Sequence, residues 1–121
     1  SARAALSGAR AARAWPEGPR VMAAIDLLPE QVLSGDAEAT AWLVDEVYTP
    51  LAAASGDLMD TTVSFLDHGC SVEGTGRAMF IHPNTVRYRL KRIQAVTGYS
   101  PSDPREAYVL RLAITLGRLT N

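Results

Sequence analysis

Apolar residues recur through the middle of the chain at the spacing of amphipathic helices. Over residues 37–54 they appear every four positions, so one helix face is expected to be buried: Ala39, Leu43, Val47 and Leu51. Asp36 is placed to cap the start of this helix. Pro50 should kink or divide it, because proline has no amide hydrogen and its ring collides with the preceding turn. Residues 28–33 predict a shorter helical turn, with Pro29 at an early position and Ser34-Gly35 after its end.

The next predicted helix runs to His68 and has an apolar side made of Leu58, Thr62, Phe65 and Leu66. Asp57 is predicted to accept its first free amides. Gly69 is predicted to end it in the left-handed conformation. These helices are interpreted as scaffold.

A pair of helices joined by a very short connection follows. Ser71 is a plausible N-cap for a helix through Phe80, whose inner face is predicted to contain Val72, Thr75, Met79 and Phe80. Ile81-His82 makes a tight connection, and Pro83 starts a second helix where its missing amide costs nothing. Val86, Leu90 and Ile93 form the buried stripe of that second helix. Residues 71–96 are therefore predicted to form a helix-turn-helix.

The last predicted helix has a well-marked start. Gly98 can end the preceding helix, and Asp103-Pro104-Arg105-Glu106 reads as an N-cap, a first-position proline and a capping-box acid. Two sides of the helix are apolar. One side contains Tyr108, Leu112, Leu116 and Leu119, and the other contains Val109, Leu110, Ala113 and Ile114. Such a helix needs two partners, the helix-turn-helix core and either a second subunit or the acidic helices upstream.

The sequence as a whole predicts an all-α fold, a helical bundle that contains a helix-turn-helix. The chain starts at Ser1 without an initiator Met or a signal pattern, so we expect a fragment of a longer protein. Residues 1–20 are interpreted as the remnant of an upstream domain, with a helix over 2–14 broken at 15–19. Residues 20–28 include a possible strand with nothing to pair with. Residues 21–55 are expected to form a helical connecting segment, and residues 56–121 the domain that contains the helix-turn-helix.

Charge changes this picture because it is distributed unevenly. The net charge is −1, yet residues 21–76 contain acids and no Lys or Arg. Arg77, Arg87, Arg89, Lys91 and Arg92 then follow, and no acid appears between Glu73 and Asp103. A basic helix on an acidic body indicates a polyanionic partner. A solvated charged face is the ordinary alternative for an isolated basic helix, but the tight turn and apolar opposite face favour double-stranded DNA.

The solvent-facing positions of the second helix are suited to a duplex. In helix-turn-helix domains the first residues of the second helix reach base edges, and later ones lie along the backbone. This geometry assigns Asn84, Thr85, Arg87 and Tyr88 to bases or the groove wall. It assigns His82, Arg89, Lys91 and Arg92 chiefly to phosphates, and Arg77 belongs to the same basic patch.

Other chemistry has little support in the sequence. His68, Cys70 and His82 are irregularly spaced and fall short of a zinc pattern. No phosphate-binding glycine loop, nucleophile elbow or paired acids indicate an enzyme, and no cofactor is implied. No apolar run approaches the roughly 20 residues of a membrane span. A single cysteine fits a cytoplasmic protein.

The residues of the second helix also carry a family resemblance. The run from Phe80 to Leu90, FIHPNTVRYRL, followed by Arg92-Ile93, Thr97-Gly98 and Asp103-Pro104-Arg105, resembles the C-terminal helix-turn-helix of PucR family bacterial transcription regulators. The resemblance covers residues 57–119, and more weakly 20–51, which is similar to the segment that joins the family's sensory or GGDEF-like region to its DNA-binding end.

The resemblance implies a one-component regulator whose effector, if any, binds the missing upstream region. It also implies that the family-motif positions bind DNA: His82, Asn84, Thr85, Arg87, Tyr88 and Arg89. Gly74 and Gly76 depart from the family's more frequent alanines. Interior glycines cost about 0.5 to 1 kcal/mol each relative to Ala, so this helix is either less stable or packs unusually close to a neighbour.

Two functions remain open at this point. The first is sequence-specific DNA binding, with a possible homodimer through the C-terminal or connecting helices. The second is a helical interaction or dimerisation module in which the cations only solubilise the chain and DNA is not read.

Overall fold

The structure is a computed structural model that describes residues 27–120, and all the regular elements in that range are helical. They are α1 (Leu28–Leu33), α2 (Ala37–Leu43), a π-helical turn (Val44–Tyr48), α3 (Thr49–Ala53), α4 (Leu58–Asp67), α5 (Val72–Met79), α6 (Pro83–Thr97) and α7 (Pro104–Thr120). The all-α prediction is confirmed. The helix expected over residues 2–14 and most of the possible strand over 20–28 lie outside the described residues, and Leu28 already begins α1.

The chain divides between Leu43 and Val44 into two compact units. In the first unit α1 packs against α2. Asp36 caps α2 as predicted, because its Oδ1 accepts hydrogen bonds from the amides of Glu38 at 2.9 Å and Ala39 at 3.1 Å. Gly35 has a φ of 88°, so the connection between the two helices uses the left-handed region that glycine tolerates.

The second unit begins where the long amphipathic helix is interrupted. The π-helical turn Val44–Tyr48 comes directly before α3, and Pro50 lies in the first turn of α3. The widened turn accommodates a proline that cannot donate an amide, which confirms the predicted division. Val47 and Leu51 are fully buried, as their spacing predicted.

Helix α4 is confirmed in position but not in its cap. Asp57 has a φ of 57° and makes no side-chain capping bond, so the predicted N-cap is wrong. Gly56, with a φ of 84°, precedes Asp57, and the two consecutive left-handed residues replace the extended backbone that an N-cap normally has. Leu58, Thr62 and Phe65 are buried and Leu66 is half-buried. Gly69 ends the segment with a φ of 64°, as expected.

Helix α6 is central to the second unit because it packs against the π-helical turn, α3, α4 and α5. Val86, Leu90 and Ile93 are all buried, which confirms the predicted stripe. Full burial of such side chains contributes about 1.5–3 kcal/mol each. The opposite face of α6 is thereby fixed toward solvent.

Helix α7 packs against the π-helical turn and α4. Its buried side contains Val109, Leu110, Ala113 and Ile114, whereas Leu119 on the other side is 77% exposed. Gly117 is buried and a Cβ there would collide with the ring of Tyr48, so these elements approach closely because the glycine has no side chain. On the same side as Leu119, Tyr108 is 40% exposed, and the Arg105 guanidinium lies 5.8 Å from the centroid of its ring.

The start of α7 follows the predicted cap with one difference. Asp103 Oδ2 accepts the amide of Glu106 at 2.9 Å, as an N-cap should. The Glu106 carboxylate accepts from the amide of Ser100 at 3.0 Å instead of returning to the amide of Asp103. The acid of the predicted capping box therefore fastens the loop between α6 and α7.

Candidate nucleic-acid interface

Helix α5 begins at the predicted N-cap. Ser71 Oγ accepts the amide of Gly74 at 2.9 Å, and the Thr75 hydroxyl donates to the Ser71 carbonyl at 2.7 Å. Glu73 lies in the first turn, where the positive end of the helix dipole stabilises a carboxylate. Thr75 and Gly76 are the buried residues of this helix.

The turn after α5 is tight because Gly76 allows it. The Ile81 amide donates to the Gly76 carbonyl at 2.9 Å, and a Cβ on Gly76 would lie 2.8 Å from the Ile81 carbonyl oxygen. Any larger residue would force the turn open. The unusually close packing considered from the sequence is therefore observed at Gly76, against the chain's own turn.

Phe80 contradicts the prediction that it lies on the inner face of α5. It is the C-cap residue, with a φ of 59°, and its side chain is 94% exposed. The left-handed backbone ends the helix one residue earlier than expected and turns the phenyl ring outward. The connection therefore consists of residues 80–82.

His82 begins α6 as an N-cap, a function that the sequence interpretation did not assign to it. Its backbone is extended, and its Nδ1 accepts the amide of Asn84 at 2.9 Å. A neutral imidazole that accepts at Nδ1 carries its hydrogen on Nε2. His82 therefore presents an exposed N–H donor beside the first turn of α6.

The first two turns of α6 and the end of α5 form an exposed polar surface. Asn84, Arg87 and Tyr88 are exposed, Tyr88 by 63%, and Thr85 is half-buried. Lys91 is exposed one turn further on, and Arg77 is exposed in the last turn of α5. We call this surface, made of Arg77, His82, Asn84, Thr85, Arg87, Tyr88 and Lys91, the α6 face.

Arg87 is held from two helices. Its Nη1 donates to Asn84 Oδ1 at 2.8 Å, and its Nη2 donates to Glu73 Oε1 at 3.4 Å. The side chains of Arg87 and Glu73 are 52% and 62% exposed. The guanidinium lies at the solvent surface with its orientation restrained.

Arg89 and Arg92 turn toward the scaffold in this structure. Arg89 Nη1 donates to Thr61 Oγ1 at 3.3 Å, and Arg92 Nη1 donates to the Ser55 carbonyl at 3.2 Å. The Thr61 hydroxyl is itself committed to the Asp57 carbonyl at 2.7 Å. Both arginines thus tie α6 to α4 and the loop before it, whereas the sequence interpretation assigned them chiefly to phosphates.

The three residues weighed as metal ligands are not brought together. His68 Nδ1 bonds to the Ser64 carbonyl at 2.7 Å and His82 Nδ1 caps α6, while Cys70 lies in the loop before α5. Within residues 27–120 no group of three or more His, Cys, Asp or Glu side chains is arranged to hold a metal ion. In the same range, no helix has the length and apolar character required to span a bilayer.

Two helices joined by a glycine-dependent tight turn, with the second helix buried on one side and polar on the other, define a helix-turn-helix domain. Residues 58–116 match the family model of the PucR C-terminal helix-turn-helix domain. This part of the chain belongs to that family, as the resemblance implied.

Similar proteins extend this assignment. An uncharacterized protein of Mycobacterium tuberculosis is 50% identical over 119 residues, which cover 98% of this chain and 29% of that protein. The purine catabolism regulatory protein of Bacillus subtilis is 36% identical over 62 residues, covering 51% of this chain and 12% of the regulator. The crystal structure of a regulator of polyketide synthase expression from Bifidobacterium adolescentis has a TM-score of 0.91 at 40% identity, covering 98% of this chain and 48% of that one. The chain therefore spans less than half the length of these relatives.

Proposed function

We propose that this chain is the sequence-specific DNA-binding part of a bacterial transcription regulator and that α6 enters the major groove. The observation that carries the proposal is the exposed α6 face, presented by a helix whose other side is locked into the core. Base edges in the major groove are read by amide and guanidinium groups of this kind. The regulators named among the relatives support the same function.

The proposed division of labour follows position along α6. Asn84, Thr85, Arg87 and Tyr88 read bases or touch the groove wall, because the N-terminal turns of a recognition helix approach the base edges. Lys91, Arg77 and the Nε2 donor of His82 bind phosphates. Arg89 and Arg92 contribute phosphate contacts through the N–H donors that remain beside their scaffold bonds, since a guanidinium has five.

Salt dependence tests this proposal. With roughly four to five phosphate contacts per chain, the logarithm of affinity should fall against the logarithm of salt concentration with a slope of about −4. A fluorescence anisotropy titration of a duplex at several salt concentrations measures it. A flat response would rule out the proposed interface.

A homodimer on two half-sites would nearly double that slope. We propose that such self-association uses the α7 surface that contains Leu119 and Tyr108, which are 77% and 40% exposed. The connecting segment, residues 21–55, is the other proposed dimer interface.

The same α7 surface supports a second candidate, an interaction module without DNA readout. The two functions differ in what the cations of α6 do. If Arg87→Ala combined with Lys91→Ala leaves regulation in the cell unchanged, the interaction module is favoured. Loss of regulation with the fold intact favours DNA binding.

Signal sensing is proposed to lie outside this chain. The relatives are much longer than the matched region. In this proposal any effector binds a region that precedes this segment. The effect of that binding is passed to the promoter through this chain.

A further inference from the structure

Glu73 is an acid placed on a surface that is otherwise suited to a polyanion. It is the last acid before Asp103, and it lies in the first turn of α5 beside the exposed N-terminal half of α6. A carboxylate there should oppose DNA binding through repulsion of the phosphates. The dipole of α5 stabilises an acid at this position, and the Glu73 carboxylate also reaches Arg87.

The contact between Glu73 and Arg87 does little for folding. Both side chains are more than half exposed, and ion pairs at such surfaces contribute little stability because water and salt screen them. What the contact does fix is the direction of the guanidinium. Arg87 is bonded through Nη1 to Asn84 and through Nη2 to Glu73, so two points restrain a rigid planar fork.

A restrained arginine discriminates better than a free one. A free Arg87 side chain could swing to a nearby phosphate and gain affinity for any duplex. When two partners hold the guanidinium, it loses less conformational entropy on binding a correctly placed base edge. It also gains less binding free energy from contacts with phosphates in other positions.

We propose that Glu73 is a positioning residue that sets the selectivity of DNA recognition by orienting Arg87. This inference rests on the proposed DNA-binding function and deepens it. Glu73 itself contacts Arg87 and not the base. The Glu73 carboxylate lowers the affinity for all DNA. It raises the ratio of the affinity for the preferred duplex to the affinity for an unrelated one.

The test compares Glu73→Ala with Asp60→Ala in the 121-residue chain. Asp60 is a matched control because it is also an exposed acid in the first turn of its helix, α4, and its removal changes the net charge equally. The wild-type chain first selects a preferred duplex from a randomised pool. Affinities for that duplex and for an unrelated one are then measured for each variant, with circular dichroism and thermal unfolding to verify the fold.

We expect Glu73→Ala to bind the unrelated duplex more tightly and to lower the preferred-to-unrelated ratio about three- to tenfold, part of the discrimination that a bidentate base contact supplies. Asp60→Ala should leave the ratio unchanged. In an Arg87→Ala background, Glu73→Ala should not lower the ratio further, because the group that it orients is gone.

Three results would overturn the inference, and the last of them is distinguishable from the first two. If the wild-type chain selects a duplex but Glu73→Ala keeps the full ratio, Glu73 is only a surface acid. The same conclusion follows if Glu73→Ala lowers the ratio equally with and without Arg87. If the wild-type chain selects no duplex at all, the proposed function itself fails, and the positioning role fails with it.

Discussion

At the scale of single residues, the least ordinary feature is the backbone of Phe80. A phenylalanine with a φ of 59° is strained, because its Cβ crowds the following carbonyl oxygen in the left-handed region. The exposed ring recovers almost nothing by packing, since 94% of the residue is accessible. Phe80 is therefore expected to make the fold less stable than a glycine at the same position would.

Phe80→Gly should raise the free energy of unfolding by about 0.5–1 kcal/mol, because glycine adopts the left-handed conformation without strain. Ala95→Gly is the control, since Ala95 is also exposed but lies inside α6. That change should lower the free energy of unfolding by about 0.5–1 kcal/mol. Urea denaturation measures both, and destabilisation by both variants would contradict a strained Phe80.

At the scale of the element, the helix-turn-helix depends on the close approach of α5 to the turn that follows it. The Gly76 carbonyl accepts the Ile81 amide, and the space for a Cβ on Gly76 is occupied by the Ile81 carbonyl oxygen. This contact sets where α6 begins. The orientation of Asn84 and Arg87 relative to α5 depends on it.

Gly76→Ala should lower the free energy of unfolding by about 1–3 kcal/mol, because backbone atoms have to move to admit the methyl group. Gly74→Ala should cost less, since the new Cβ would meet only side-chain atoms of Ser71 and His68. Chemical denaturation of the two variants under identical conditions gives the comparison. Equal tolerance of both substitutions would mean that the turn is not held by this contact.

Helix starts were predictable where a residue with a strong preference for the start of a helix marks them. Asp36, Ser71 and Pro83 mark α2, α5 and α6, and the structure places those helices accordingly. The predicted N-cap at Asp57 was wrong because Gly56 and Asp57 both have a left-handed backbone, which their residue types do not reveal. The apolar stripe of α6 followed from its periodicity alone.

The partners of the α6 cations were harder to predict. Arg89 bonds to a residue 28 positions away, Arg92 to one 37 positions away, and Arg87 to Glu73, 14 positions away. Such contacts depend on how the helices pack, which hydrophobic periodicity does not specify. From the sequence Glu73 was notable only as the last acid before Asp103, and its contact with Arg87 became visible from the fold.

At the scale of the whole molecule, function depends on where charge is concentrated. The net charge of −1 conceals an acid-rich stretch over residues 21–76 and a basic one that begins at Arg77. The cations of the α6 face attract phosphates, so a duplex is expected to approach the second unit on that side. This asymmetry supports the proposal that α6 meets DNA.

Under the proposed function, α6 reads base sequence with its first turns and holds the DNA backbone further along. A selection from randomised duplexes, performed with the wild-type chain and with Arg87→Ala, Asn84→Ala and Lys91→Ala, tests it directly. We predict that Arg87→Ala and Asn84→Ala each lose about 1–3 kcal/mol of discrimination at particular base pairs, whereas Lys91→Ala weakens binding to all sequences alike. Equal losses on every sequence from all three variants would mean that α6 does not read bases.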